Sequence, residues 1–143
     1  MPLAQKNLLE ILKQMKTSVQ KKARARGNRG EKAVCRYLRF RGYRILERNF
    51  TVKGGEIDII ATRFRYIVFI EVKTRSMATN TEKYGHPADS VTEEKKQHLR
   101  YAASRYLASH PSGKKPRFDI AEVYLAEEGK KASPKIRYIK EAF

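Results

Sequence analysis

The chain contains a single cysteine, Cys35. That excludes an intramolecular disulfide and any cysteine-rich zinc site, and it fits a reducing, cytoplasmic setting. Only three histidines are present, His86, His98 and His110, and their spacing is not that of metal ligands. Each reads as a surface or loop residue. No apolar run approaches the roughly 18 residues that a bilayer span needs. Glu10 and Lys13 interrupt the N-terminal stretch where a signal-peptide core would lie, so no leader is expected. Acidic residues are scarce: 15 Asp and Glu stand against 32 Lys and Arg, for a net charge of +17. Such an excess points to a polyanionic partner, with nucleic acid the first candidate. Charge alone does not separate a nuclease from a ribosome-associated or architectural protein.

At 143 residues and 41% apolar content, the chain is long enough for one domain with a real core. Its charge is uneven. Residues 1–44 hold 13 Lys and Arg against Glu10 and Glu31 alone, a net +11. Within residues 3–22, Leu8, Leu12, Met15 and Val19 recur at steps of four, three and four, a helical stripe flanked by lysines. Residues 1–23 are therefore read as a basic amphipathic extension, and 24–143 as the α/β domain. The sequence leaves three uses open for the extension: packing on the domain or on a second copy, a DNA-backbone contact, or a membrane surface. Lys21 to Gly30 reads as a basic linker punctuated by glycine.

A second helix is expected from Glu31 to Arg41, with Val34, Tyr37 and Leu38 inward, Cys35 beside them and Gly42 as its stop. Tyr43–Phe50 reads as a strand and Lys53-Gly54-Gly55 as a turn. Residues 56–62 and 66–73 read as two more strands, and 75–90 as a polar, mobile loop. Ser90-Val91-Thr92-Glu93 has capping-box spacing and should open a helix carrying Leu99, Ala102, Ala103, Tyr106 and Leu107 on one face. His110-Pro111-Ser112-Gly113 ends it. Strands follow at 117–124 and 136–139. This order implies helices packed on a mixed sheet.

The second and third strands carry an anomaly. Glu56, Asp58, Glu71 and Lys73 lie inside the most apolar part of the chain, where an unpaired carboxylate is very costly. The short connection Arg63-Phe64-Arg65 forces a hairpin. If Arg63 faces Tyr66, Asp58 faces Glu71, Glu56 faces Lys73, and all four share one side of the sheet. A slip of one residue would scatter them. Two facing carboxylates repel unless a proton or a cation lies between them. A hard divalent ion, Mg²⁺ or Mn²⁺, suits such an all-oxygen pair, and a neighbouring lysine can orient the attacking water. The competing reading is a structural network, with Glu56 on Lys73 and Asp58 on an arginine.

Asp58 followed by Glu71-Val72-Lys73 resembles the PD-(D/E)XK nuclease core. The ordered set Gly30-Glu31, Gly42-Tyr43, Arg48-Asn49-Phe50, Gly55-Glu56-Ile57-Asp58, Phe69 to Arg75, and Arg117-Phe118-Asp119 resembles the bacterial YraN-like family, which is related to Holliday-junction resolvases. The resemblance spans about residues 24–125 and leaves residues 1–22 without a counterpart. It implies a restriction-endonuclease-like fold and a metal-dependent endonuclease, with branched or single-stranded DNA suggested by the resolvase kinship alone. Asp58, Glu71 and the Val72 carbonyl would hold the metal. Lys73 would be the catalytic lysine, and Glu31 would join from a helix, unless it only complements the helix dipole. Glu56 belongs to the motif without a clear task, and Asp119 reads as a structural hydrogen-bonder. Arg24, Arg26, Arg29, Arg75, Lys95, Lys96 and Arg100 are the residues expected to hold phosphates. A homodimer would follow from the same kinship. The rival expectation is a nucleic-acid-binding protein, DNA- or ribosome-associated, with a vestigial site.

Overall fold

The computed structural model describes residues 3–78, 85–127 and 129–143, with side chains from residue 7 onward. The elements run α1 (Leu3–Phe40), β1 (Arg44–Val52), β2 (Gly55–Arg63), β3 (Tyr66–Ser76), a 3-10 turn (Pro87–Ser90), α2 (Glu93–Ser109), β4 (Lys115–Leu125) and β5 (Lys135–Ile139). The chain is α/β. Its five strands form one mixed sheet in the order β1-β2-β3-β4-β5, antiparallel except for the parallel β3–β4 pair. That pair needs a crossover, and the 3-10 turn with α2 supplies it. The arrangement fits a restriction-endonuclease-like fold with an N-terminal helix.

Two apolar layers sandwich the sheet. Val34, Cys35 and Leu38 of α1 pack on Ile59, Ala61, Val68, Ile70, Ala121 and Val123. On the opposite face, Leu99, Ala102, Ala103 and Tyr106 of α2 pack on Ile57, Ile60, Ile67, Phe69 and Ile120. Cys35 is a buried core residue, as its place beside the inner face implied.

Two helix boundaries differ from expectation. The segment Lys21–Gly30 is no linker, because α1 runs unbroken through it. Lysine, alanine and arginine favour helix enough to carry Gly27 and Gly30, and Gly30 is needed for contact. A Cβ there would come within 2.0 Å of the Thr74 Oγ1, so only glycine lets α1 lie this close to β3. The second difference is at α2, whose N-cap is Thr92 rather than Ser90. The Thr92 hydroxyl accepts the Lys95 N–H at 3.1 Å, while the Ser90 hydroxyl donates to the Pro87 carbonyl inside the 3-10 turn. At the far end of α1, Gly42 (φ +84°) closes the helix as expected. The Tyr43 N–H returns to the Leu38 carbonyl at 3.0 Å and the Gly42 N–H to that of Arg39 at 3.1 Å.

The amphipathic stripe of α1 does not pack on the domain. Leu8, Leu12, Met15 and Val19 are between 51% and 67% exposed. Among the described residues no helix is long and apolar enough to cross a membrane. Part of the expected loop at 75–90 is ordered as the end of β3 and the 3-10 turn, and residues 79–84 lie outside the described residues.

Candidate active site

The β2–β3 hairpin has the register inferred from its short connection. Arg63 pairs with Tyr66, and the ladder continues to Ile59 with Ile70. There it opens. The Val72 N–H, which would otherwise seek a backbone carbonyl, donates to the Asp58 Oδ2 at 2.7 Å. A carboxylate thus replaces a ladder acceptor, and the strands part around it. In an extended strand the N–H and C=O of one residue point the same way, so the Val72 carbonyl also faces this gap.

The other edge of β2 is irregular at the same point. The β1–β2 ladder passes from Arg48–Ile59 to Phe50–Ile57 and skips Asn49 and Asp58. Asn49 has φ +53°, a left-handed conformation that asparagine tolerates better than most residues. Ile57 and Ile59, two apart, belong to opposite apolar layers. A regular strand would put them on one face. Asp58 therefore sits at a twist in β2, which turns its side chain toward β3.

Asp58 and Glu71 lie close enough that the charge of Asp58 bears on Glu71. Glu71 is only 6% exposed. Burial, and then the Asp58 charge, push its carboxyl up to about 7. Asp58 is also raised, first by burial, against the pull of the Val72 N–H. Two lysines face the pair. Lys73 Nζ is 3.5 Å and Lys95 Nζ 3.8 Å from the Glu71 Oε1. Lys73 thus pairs with Glu71 and not with Glu56, which is exposed and adds only unfavourable charge near Asp58.

Glu31 approaches from α1, carried in by the Gly30–Thr74 contact. It is raised by burial and then by the Asp58 charge, while Asn49 and Arg48 pull it down. Its Oε2 lies 3.5 Å from Arg48. Glu31 thus borders the pair but is occupied by β1. Among the described residues no three His, Cys, Asp or Glu side chains converge so as to hold a metal ion. The donor set that does converge is two carboxylates and the Val72 carbonyl. All are hard oxygens, and they fit Mg²⁺ or Mn²⁺ with water filling the remaining positions.

The expected phosphate-binding residues scatter. Lys95 reaches the carboxylates. Lys96 instead pairs with Glu93 at 3.0 Å, and Arg100 stands over the Phe143 ring at 5.2 Å. Arg75 donates to the Gly85 carbonyl at 3.0 Å and ties down the segment that leads into α2. Arg24, Arg26 and Arg29 lie exposed on α1. Asp119 is the structural hydrogen-bonder it was read as: it is fully buried and accepts from Arg117, from the Tyr138 hydroxyl at 2.6 Å and from the Glu141 N–H at 3.0 Å.

Two residues escaped the sequence reading. Asn49 was seen only as part of a motif, and its left-handed backbone has no signal beyond residue type. Glu122 had the clearer signal, since it interrupts an apolar strand just as Asp58 and Glu71 do. It is fully buried, accepts from Arg137 at 2.8 Å, and takes the Ala88 N–H at 2.8 Å to dock the 3-10 turn.

Comparison with known proteins agrees with the motif order. The model of the uncharacterised protein family UPF0102 matches residues 30–123, a span containing every motif from Gly30 to Asp119. A UPF0102 protein of Alkaliphilus metalliredigens is 42% identical over 118 residues, covering 82% of this chain and 96% of that protein. One from Caldanaerobacter subterraneus is 44% identical over 118 residues, covering 82% and 93%. One from Moorella thermoacetica is 44% identical over 121 residues, covering 84% and 96%. This chain belongs to the UPF0102 family, the grouping its ordered motifs resemble.

Proposed function

We propose that this protein is a Mg²⁺- or Mn²⁺-dependent DNA endonuclease that hydrolyses phosphodiester bonds at the Asp58–Glu71 pair. The observation that carries the reading is the close, mutually repelling carboxylate pair, Glu71 buried and Asp58 half-buried, with a lysine 3.5 Å away. A pair held this way takes up a proton or a cation, and a divalent ion would supply Lewis-acid polarisation of the scissile phosphate. Asp58, Glu71 and the Val72 carbonyl would hold that ion. Lys73 orients the attacking water and offsets charge gathering on the phosphoryl oxygens. The proton that the water loses passes to solvent. The new P–O bond forms as the bond to the leaving sugar oxygen breaks, and that oxygen is protonated from solvent. Lys95 steadies a neighbouring phosphate. Cleavage as part of a pair of subunits and a preference for branched or single-stranded DNA belong to the same proposal, on kinship alone.

One observation favours a second reading. The converging carboxylates number two, not three, among the described residues. A nucleic-acid-binding protein with a vestigial site, on DNA or the ribosome, would look the same. Incubation with supercoiled plasmid and with linear, flap and four-way-junction DNA in Mg²⁺, Mn²⁺ or EDTA separates them. The nuclease nicks or cuts only with metal, and Lys73→Ala lowers the rate at least about 100-fold. Cleavage that survives Asp58→Ala and Lys73→Ala would belong to a contaminant. No cleavage under any condition would leave the binder.

A further inference from the structure

The stripe along α1 that is apolar from Leu8 to Val19 continues at the same spacing as Lys22, Arg26 and Arg29, then Ala33 and Arg36. Where it turns basic, it stops being a free helix face. Two adjoining cavities of about 220 and 340 Å³ lie between α1 and the β4–β5 connection, and both are lined by Arg29. Together they make one groove. Its lining carries Lys22, Arg26, Arg29, Lys32, Arg36 and Lys130, with Glu127 the one acid among the described lining residues, paired to Lys130 at 3.2 Å. The five α1 cations are all exposed, on a helix whose inner side is fixed by Gly30, Val34 and Leu38. A concave wall of like charge focuses potential more than the same charges on a convex face.

The groove's position relates it to the carboxylate pair. Its inner end is formed by Ser76 and Leu125, the last residues of β3 and β4. Ser76 is three residues beyond Lys73, about 10 Å along the strand. In open, mostly parallel α/β sheets ligands bind in the crevice outside the carboxyl ends of the strands, and β3 and β4 are the parallel pair of this sheet. Lys22 to Arg36 spans about 21 Å of helix, the rise of about six nucleotides of one duplex strand.

We infer that this groove binds the sugar-phosphate backbone of a nucleic-acid strand, holding the stretch that runs on from the bond at Asp58–Glu71. The inference rests on the nucleic-acid partner proposed above, but it does not require turnover. It also re-sorts the basic residues: Arg26 and Arg29 belong to the groove with Lys22, Lys32 and Arg36, whereas Arg24 lies off it.

The test is fluorescence anisotropy with a labelled 20-base-pair duplex and a 20-nucleotide single strand, in EDTA with Lys73→Ala present so that nothing is cut. The triple variant Arg26→Ala, Arg29→Ala, Arg36→Ala should bind duplex at least tenfold more weakly near 0.1 M salt. Its log–log salt slope should fall by about 2 to 3, as expected for three lost phosphate contacts. A charge-matched triple away from the groove, Lys13→Ala, Lys16→Ala, Lys53→Ala, should lose less than threefold. Circular-dichroism melts confirm that both triples are folded. Equal losses in the two triples, or an unchanged slope in the first, would overturn the groove. If the groove triple fails to bind while the wild type binds but never cuts, the groove stands and the nuclease reading falls. If the wild type cuts and the groove triple binds normally, the groove alone falls.

Discussion

Two pairs of acids lie within this sheet, three of the four buried and Asp58 half-buried, and they are treated in opposite ways. On β4, Asp119 and Glu122 are fully buried, and their oxygens are matched by hydrogen bonds from Arg117, Tyr138, Arg137 and two backbone N–H groups. On β2 and β3, Asp58 and Glu71 face each other, with lysines no nearer than 3.5 Å. The first pair is the structural network that a charge in an apolar strand usually signifies. In the second, only Asp58 has such a partner, the Val72 N–H, and both acids are pushed toward their protonated forms. The contrast shows that the fold can satisfy a buried carboxylate when satisfaction is its purpose.

Breaking the satisfied pair should cost most. Asp119→Ala strips Arg117 of its partner inside the core and should lower stability by about 3–5 kcal/mol in urea denaturation. A loss under about 1 kcal/mol would erase the distinction between the pairs. The effect of pH comes next. Glu71 holds its proton to about 7 instead of the usual 4.5. Between those values the folded chain binds more protons than the unfolded chain, so stability falls as pH rises through the window. The drop in EDTA should reach at most about 3 kcal/mol. The raised Asp58 adds to it in the same direction. Urea titrations at pH 5 and 8 measure the change, which Glu71→Gln should flatten and Mn²⁺ should reduce. A stability that rises across this window would contradict the site. The smallest effect on stability is expected from Asp58→Asn. Its amide oxygen still accepts the Val72 N–H, so the change in EDTA should stay within about 1 kcal/mol, while the thermal shift on adding Mn²⁺ disappears.

Much of this was legible beforehand, because it rested on local rules. The short hairpin connection fixed which residues face each other, and Ile59–Ile70 obeys it. What was not legible depended on distant partners. Gly30 reads as a helix breaker until Thr74 is brought against it. Ser90 reads as a cap until the 3-10 turn claims its hydroxyl. The opening of the ladder at Asp58 and the left-handed Asn49 opposite it come from three strands meeting, which no window of sequence contains.

The unbroken course of α1 has a mechanical meaning. Leu8 stands 22 residues from Gly30, about 33 Å along a single rigid axis. With no joint at Lys21–Gly30, the outer half continues the axis that the Gly30–Thr74 contact seats on β3. A load carried on its exposed apolar stripe would bear on Thr74, the residue after Lys73. The same helix carries both its exposed apolar stripe and Glu31, the acid that borders the carboxylate pair.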